Sequence, residues 1–138
     1  MTPVRELVAS QQAVDPVVLS LKDDLKDTLP EDKLGAMEIV VTEALTNIVR
    51  HAYQGAGDAP IRVRTLLTDA AVVVEIRDAA PPGPADLFDK APNIDEIDPL
   101  AESGRGLALI RCYADRLDFA PGASGNRLRL EFDRLASP

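Results

Sequence analysis

From Leu34 to Tyr53 the apolar residues recur at helical spacing. At about 100° per residue, Leu34, Met37, Val41, Leu45, Ile48 and Ala52 fall on one face. A helix carrying such a stripe must bury it against another layer, which constrains the fold more than any other stretch of the chain. Glu43, Asn47 and His51 stand at i, i+4 and i+8 and climb one flank of this helix, with Ala36 and Val40 on the same flank. Small and apolar neighbours suit an edge that lines a pocket. An amide oxygen one turn from a carboxylate can hold a phosphate-bound metal while the carboxylate orients or deprotonates a hydroxyl. The same pair can be two hydrogen-bonded neighbours on an ordinary amphipathic helix, and the helix alone does not choose.

After Gln54-Gly55-Ala56-Gly57-Asp58 the period changes from helical to alternating. Ile61, Val63, Thr65 and Leu67 point one way and Arg62 and Arg64 the other. Thr68-Asp69-Ala70 turns the chain into a second strand, with Val72, Val74, Ile76 and Asp78 on one face and Val73, Glu75 and Arg77 opposite. A carboxylate ending an apolar row must be paired or hydrogen-bonded, or else lie in a solvated turn. Upstream, Val4 to Val8 reads as a short strand. Asp15 as N-cap and Pro16 as first helical residue predict a helix over about 16 to 28. Pro30-Glu31-Asp32 starts the ladder helix at about 31 to 53.

Residues 79 to 103 hold Pro81, Pro82, Pro84, Pro92 and Pro99, too many for a regular element, although Pro84 to Phe88 could make one helical turn. A long loop inside one domain reads as a functional lid. It ends at Ser103-Gly104-Arg105-Gly106, which opens a helix with Leu107, Ile110, Ala114 and Leu117 inward. Glycines at a helix start let bare N–H groups approach an anion, though they equally suit a simple turn. Leu117 to Ala120 and a last strand with Leu128, Leu130 and Phe132 inward read as a hairpin across Gly122 to Asn126.

With 138 residues the chain is expected to be a single domain, 1 to 138, able to bury a core without staples. One Cys and one His exclude a disulfide framework and argue against a zinc cluster. The net charge of -8 argues against direct nucleic-acid binding, which relies on basic surface. No stretch resembles a leader or a membrane span, so a cytoplasmic location is expected.

Taken together, Glu43-x-x-x-Asn47, Asp78, and Gly104-x-Gly106 opening a helix resemble the N, first-glycine and second-glycine boxes of the gyrase and histidine-kinase (GHKL) ATPase superfamily. Within it, Glu43-Ala44-Leu45-Thr46-Asn47 running into His51-Ala52-Tyr53, and Gly104-Arg105-Gly106-Leu107, resemble the bacterial anti-sigma-factor serine/threonine kinases. The resemblance covers about residues 35 to 135. It implies an α/β fold, a two-layer sandwich of a mixed, largely antiparallel sheet with helices on one face. It also implies ATP and Mg²⁺, with Glu43 as general base toward a serine hydroxyl, Asn47 on the metal and Asp78 on the adenine amino group. Gly104 and Gly106, followed by Leu107, would admit the phosphates, and Arg105 would meet the terminal phosphate or a partner. The implied partners are a sigma factor and an anti-sigma-factor antagonist, with the protein itself a homodimer. The sequence departs from the family where a glycine two residues after Asp78 is expected. Ala80 stands there, followed by Pro81, which favours extended backbone, and Gly83 is the nearest glycine able to supply flexibility. A catalytically inactive, nucleotide-dependent protein-binding module is the alternative reading, and no dimerisation helix bearing a phospho-accepting His speaks for a histidine-kinase piece.

Overall fold

The computed structural model describes residues 4–52, 60–89 and 105–134, apart from the side chains of His51 and Ala52. The chain runs through β1 (Val4–Val8), a 3-10 turn (Gln11–Ala13), α1 (Val14–Leu25), α2 (Glu31–Asn47) and a π-helical turn (Ile48–Ala52). It continues through β2 (Pro60–Leu67), β3 (Ala71–Arg77), α3 (Arg105–Tyr113), β4 (Arg116–Ala120) and β5 (Arg127–Asp133). The strands order as β1-β2-β3-β5-β4, and every pairing is antiparallel. The expected mixed sheet is therefore antiparallel throughout among the described strands.

Period-2 patterning puts Ile61, Val63, Val72, Val74, Ile76, Leu128, Leu130 and Phe132 on the inner face, where all are buried. Helical spacing turns Val18, Leu21 and Leu25 of α1 and Met37, Val41 and Leu45 of α2 into the same core. Each such side chain contributes about 1.5–3 kcal/mol by leaving water. Val40 and Ala44 are buried as well, so the apolar stripe of α2 is broader than the sequence suggests. At the layer's edge Arg5, sharing the inner face with Val63, reaches Ser20 and Asp24 of α1 and ties the first strand to the first helix.

Several expectations shift. The first helix starts at Val14, because the 3-10 turn has already coiled the chain; Asp15 is a first-turn acid and Ala13, not Asp15, takes the N-cap place. The ladder helix leaves α geometry after Asn47, where the wider i→i+5 turn begins. Leu67, expected inward, is 58% exposed at the last pair of the β2–β3 ladder. Val73 and Glu75, expected on the polar face, are both buried. Glu75 is covered from that side by arginines: it accepts from Arg64 Nη2 at 3.2 Å and Arg77 Nε at 2.8 Å.

The first part of the proline-rich segment is packed down. Ala80 and Phe88 join the core, and the Phe88 ring meets Phe119 of β4 edge-on with centroids 5.6 Å apart. Residues 85–89 form turns, with the Leu87 amide donating to the Pro84 carbonyl at 3.1 Å, in place of the helical turn expected from Pro84 to Phe88. Residues 90–104, the remainder of the expected lid, lie outside the described residues.

Candidate nucleotide site

Glu43 and Asn47 lie one turn apart on the last part of α2, both half-buried. Among the described residues no hydrogen bond engages the Glu43 carboxylate or the Asn47 amide, so the pair does not satisfy itself. The π-helical turn begins at the next residue; such turns recur at functional sites because they rotate the following side chains out of α register. His51 falls within this turn, and its side chain, like Tyr53, lies outside the described residues.

The ladder meets the start of α3. A methyl group built on Gly106 would stand 3.0 Å from Glu43 Oε2, so glycine is what allows the carboxylate to sit against the first turn of that helix. Arg105 opens α3 and is exposed, while Leu107 is half-buried against the core. Gly104 lies outside the described residues.

Asp78 follows β3 directly. Its Oδ1 accepts three N–H groups: Ala80 N at 3.0 Å, Asn126 N at 3.1 Å and Asn126 Nδ2 at 3.0 Å. Its Oδ2 accepts none of these and is left as a pure acceptor at the end of the core-facing row. The carboxylate that the sequence could place in either a bonded or a solvated setting is thus anchored through one oxygen.

The anchor is Asn126, which its sequence context marks only as part of a hairpin turn. It is buried, and besides binding Asp78 its Nδ2 donates to the Pro81 carbonyl at 3.1 Å while its Oδ1 accepts Gly83 N at 3.0 Å. Its carbonyl accepts Asp78 N at 3.0 Å, extending the β3–β5 ladder by one pair. Gly125 makes this approach possible: it holds φ 137°, and a Cβ there would lie 1.9 Å from the Asp78 carbonyl oxygen. The adjacent Gly125-Asn126 was the available signal, since Gly then Asn before an alternating strand marks a turn with special backbone demands.

Gly83 does not supply a free amide, because that amide is committed to Asn126, and a Cβ at Gly83 would meet the Phe119 ring at 3.3 Å. Ala80 carries its methyl into the core and keeps a negative φ, as the following Pro81 dictates. The structure therefore brings Glu43 to Gly106 and Asp78 to Ala80, Gly83 and Asn126.

Among the described residues no group of three or more His, Cys, Asp or Glu side chains could hold a metal, and no helix is long and apolar enough to cross a membrane. Among curated proteins none matches the chain significantly. Solved structures do. The RsbU and RsbW domains of Rv1364c from Mycobacterium tuberculosis align with TM-score 0.67 and 16% identity over 99% of this chain and 33% of that one. This chain thus spans about a third of the length of that two-domain chain. The mycobacterial sensor histidine kinase MprB aligns with TM-score 0.54 and 16% identity over 96% of this chain and 100% of that one. The Acinetobacter baumannii histidine kinase AdeS aligns with TM-score 0.54 and 17% identity over 95% and 68%. At these identities the likeness is one of fold. The family model for the histidine kinase-like ATPase domain matches residues 7–132, and the chain belongs to that family.

Proposed function

We propose that the chain is an ATP-binding anti-sigma factor and protein serine/threonine kinase that phosphorylates an antagonist protein in a partner-switching circuit. The observation that carries this reading is the unspent pair on α2: a carboxylate and an amide one turn apart, without partners among the described residues, set against the glycine that opens α3. Asp78 fits an adenine, since Oδ1 is saturated by backbone and Asn126 donors and Oδ2 remains as acceptor for an exocyclic amino group. Asn47 would hold Mg²⁺ through its amide oxygen, jointly with the nucleotide's phosphates. Gly106 would offer its bare backbone to those phosphates at a helix start. ATP, when bound, supplies the phosphoryl group. Glu43 would orient or deprotonate the serine hydroxyl that receives it. A sigma factor, a serine-bearing antagonist and a homodimeric state belong to the proposal through the resemblance. The exposed β1 edge, where Val4 and Val8 are 57% and 60% accessible, is a surface available for self-association.

Calorimetry with Mg²⁺ and ATP tests the reading first: binding is expected in the parent and lost in Asp78→Asn, whose amide is no longer an acceptor at both oxygens. Glu43→Ala should keep that binding while phosphotransfer to a serine-bearing antagonist falls by roughly 10² to 10⁴, the range for a general base. Binding without transfer in the parent would instead favour a nucleotide-dependent binding module. Light scattering that gives a monomer at tens of micromolar, on the order expected for a moderate-affinity dimer, would remove the dimer.

A further inference from the structure

Three arginines stand in one row across the sheet face that, among the described residues, carries no helices. Arg62 is directly opposite Arg77, and Arg77 directly opposite Arg127. Like charges facing each other across strands are destabilising, and the chain as a whole is acidic at -8, so the row is not a by-product of general basicity. Carboxylates flank it: Glu6 accepts from Arg62 Nε at 3.2 Å, Glu75 from Arg77 Nε at 2.8 Å and Asp118 from Arg127 Nη2 at 3.2 Å. Each takes one side of its guanidinium, which orients the fork and leaves further N–H groups without a partner among the described residues. For Arg62 and Arg77 these are the Nη donors. For Arg127 it includes Nε, a buried donor with no hydrogen-bond partner among the described residues.

The row borders a cavity of about 510 Å³, lined by Arg62, Arg77 and Arg127 with Pro60, Ser124 and Gly125. Asp78 and Asn126 also line it. The Asp78 charge there is offset by the three N–H groups held on its Oδ1. The volume falls within the range of roughly 300–1,000 Å³ for small-ligand sites. We infer that this groove is a binding site for a small phosphate-bearing ligand, adjoining Asp78 and distinct from the Glu43–Gly106 contact. Guanidinium forks bind phosphate and carboxylate bidentately. A row spanning two interstrand spacings, roughly 9–10 Å, presents more donors than the two oxygens of one carboxylate accept. One or two phosphoryl groups match it.

The test titrates the ¹⁵N-labelled full chain with inorganic pyrophosphate, following backbone amides and arginine Nε–H resonances. Saturable shifts are expected at Arg127 Nε–H and at the amides of Gly125, Arg127 and Arg62. Arg62→Gln/Arg127→Gln should weaken the binding at least tenfold, about 1.4 kcal/mol. Arg116→Gln, on the same face but paired with Glu131 and Asp133, should leave it within about twofold. If the double variant unfolds, Arg62→Gln alone, at a side chain 62% exposed, carries the comparison. Shifts confined to Gly106 and its neighbours, no saturation, or equal affinity in the arginine variants would overturn the site.

Discussion

Asn126 commits every polar atom of its backbone and side chain to the segment from Asp78 to Gly83. Replacing it by alanine leaves the Pro81 carbonyl and the Gly83 amide short of partners and strips one donor from Asp78. Each buried group left unsatisfied costs about 1–3 kcal/mol, so Asn126→Ala should lower the unfolding free energy measured in urea by an amount in that range and weaken ATP in calorimetry. Asn126→Asp keeps the shape but puts a carboxylate where Nδ2 now lies 3.0 Å from Asp78 Oδ1. It should weaken ATP further than alanine at neutral pH, and equal affinity for the two variants would exclude Asn126 from positioning Asp78. Ala80→Gly removes a methyl that is 3% exposed, so stability should fall by about 1 kcal/mol. ATP affinity should change by less than about tenfold; nucleotide binding that appears only in the glycine variant would mean the methyl blocks the pocket.

At the scale of elements, glycines separate helix propensity from site geometry. Gly35 lies inside α2, and a Cβ added there would meet nothing within 4 Å. Gly35→Ala should therefore stabilise the protein by about 0.5–1 kcal/mol, the interior-helix cost of glycine. Gly125→Ala should do the reverse and severely, since its φ of 137° and the 1.9 Å approach to the Asp78 carbonyl admit no side chain. Gly106→Ala is the informative intermediate. Its neighbour at 3.0 Å is the end of a flexible Glu43 side chain, so the thermal midpoint should hold while Glu43 is displaced. Phosphotransfer should then drop, with ATP affinity also weakened where the methyl crowds the phosphates, and an unaltered transfer rate would separate Gly106 from Glu43.

For the molecule as a whole, two carboxylates couple the fold to pH. Burial alone would push Glu75 up, but the Arg77 hydrogen bond and the charges of Arg77, Arg64 and Arg127 carry it below its ordinary value. Burial acts likewise on Asp115, and the Lys33 hydrogen bond with the Asp133 amide brings it down. The Lys33–Asp115 contact, 2.6 Å, joins α2 to the residue preceding β4. A carboxylate with a depressed folded value contributes stability above its unfolded value, near 4, and loses it as pH falls through the folded value. The thermal midpoint should therefore be level from about pH 5 upward and decline below about pH 4. Glu75→Gln should lower the level portion, because it leaves two guanidiniums with a neutral partner, and should make the acid decline shallower. An acid limb as steep as the parent's would mean that Glu75 does not drive it.

The alternation in residues 61–77 and 127–133 determined the strands, because side chains two apart on a pleated strand must share a face. The stripe of α2 determined that a helix covers them, while Glu43, Asn47, Asp78 and Gly106 pointed to a nucleotide only through their resemblance to the ATPase boxes. Local pattern carries that much because burying apolar area is decided over short windows. The tertiary structure decided what the pattern leaves free. It showed that Glu43 and Asn47 have no partner among the described residues and that Asn126, 48 positions after Asp78, holds that carboxylate. It also revealed that Gly83 is committed to Asn126 and that Arg62, Arg77 and Arg127 come into one row. Each of these depends on the register between strands distant in sequence, and register is settled by the whole sheet closing at once rather than by any segment's own composition.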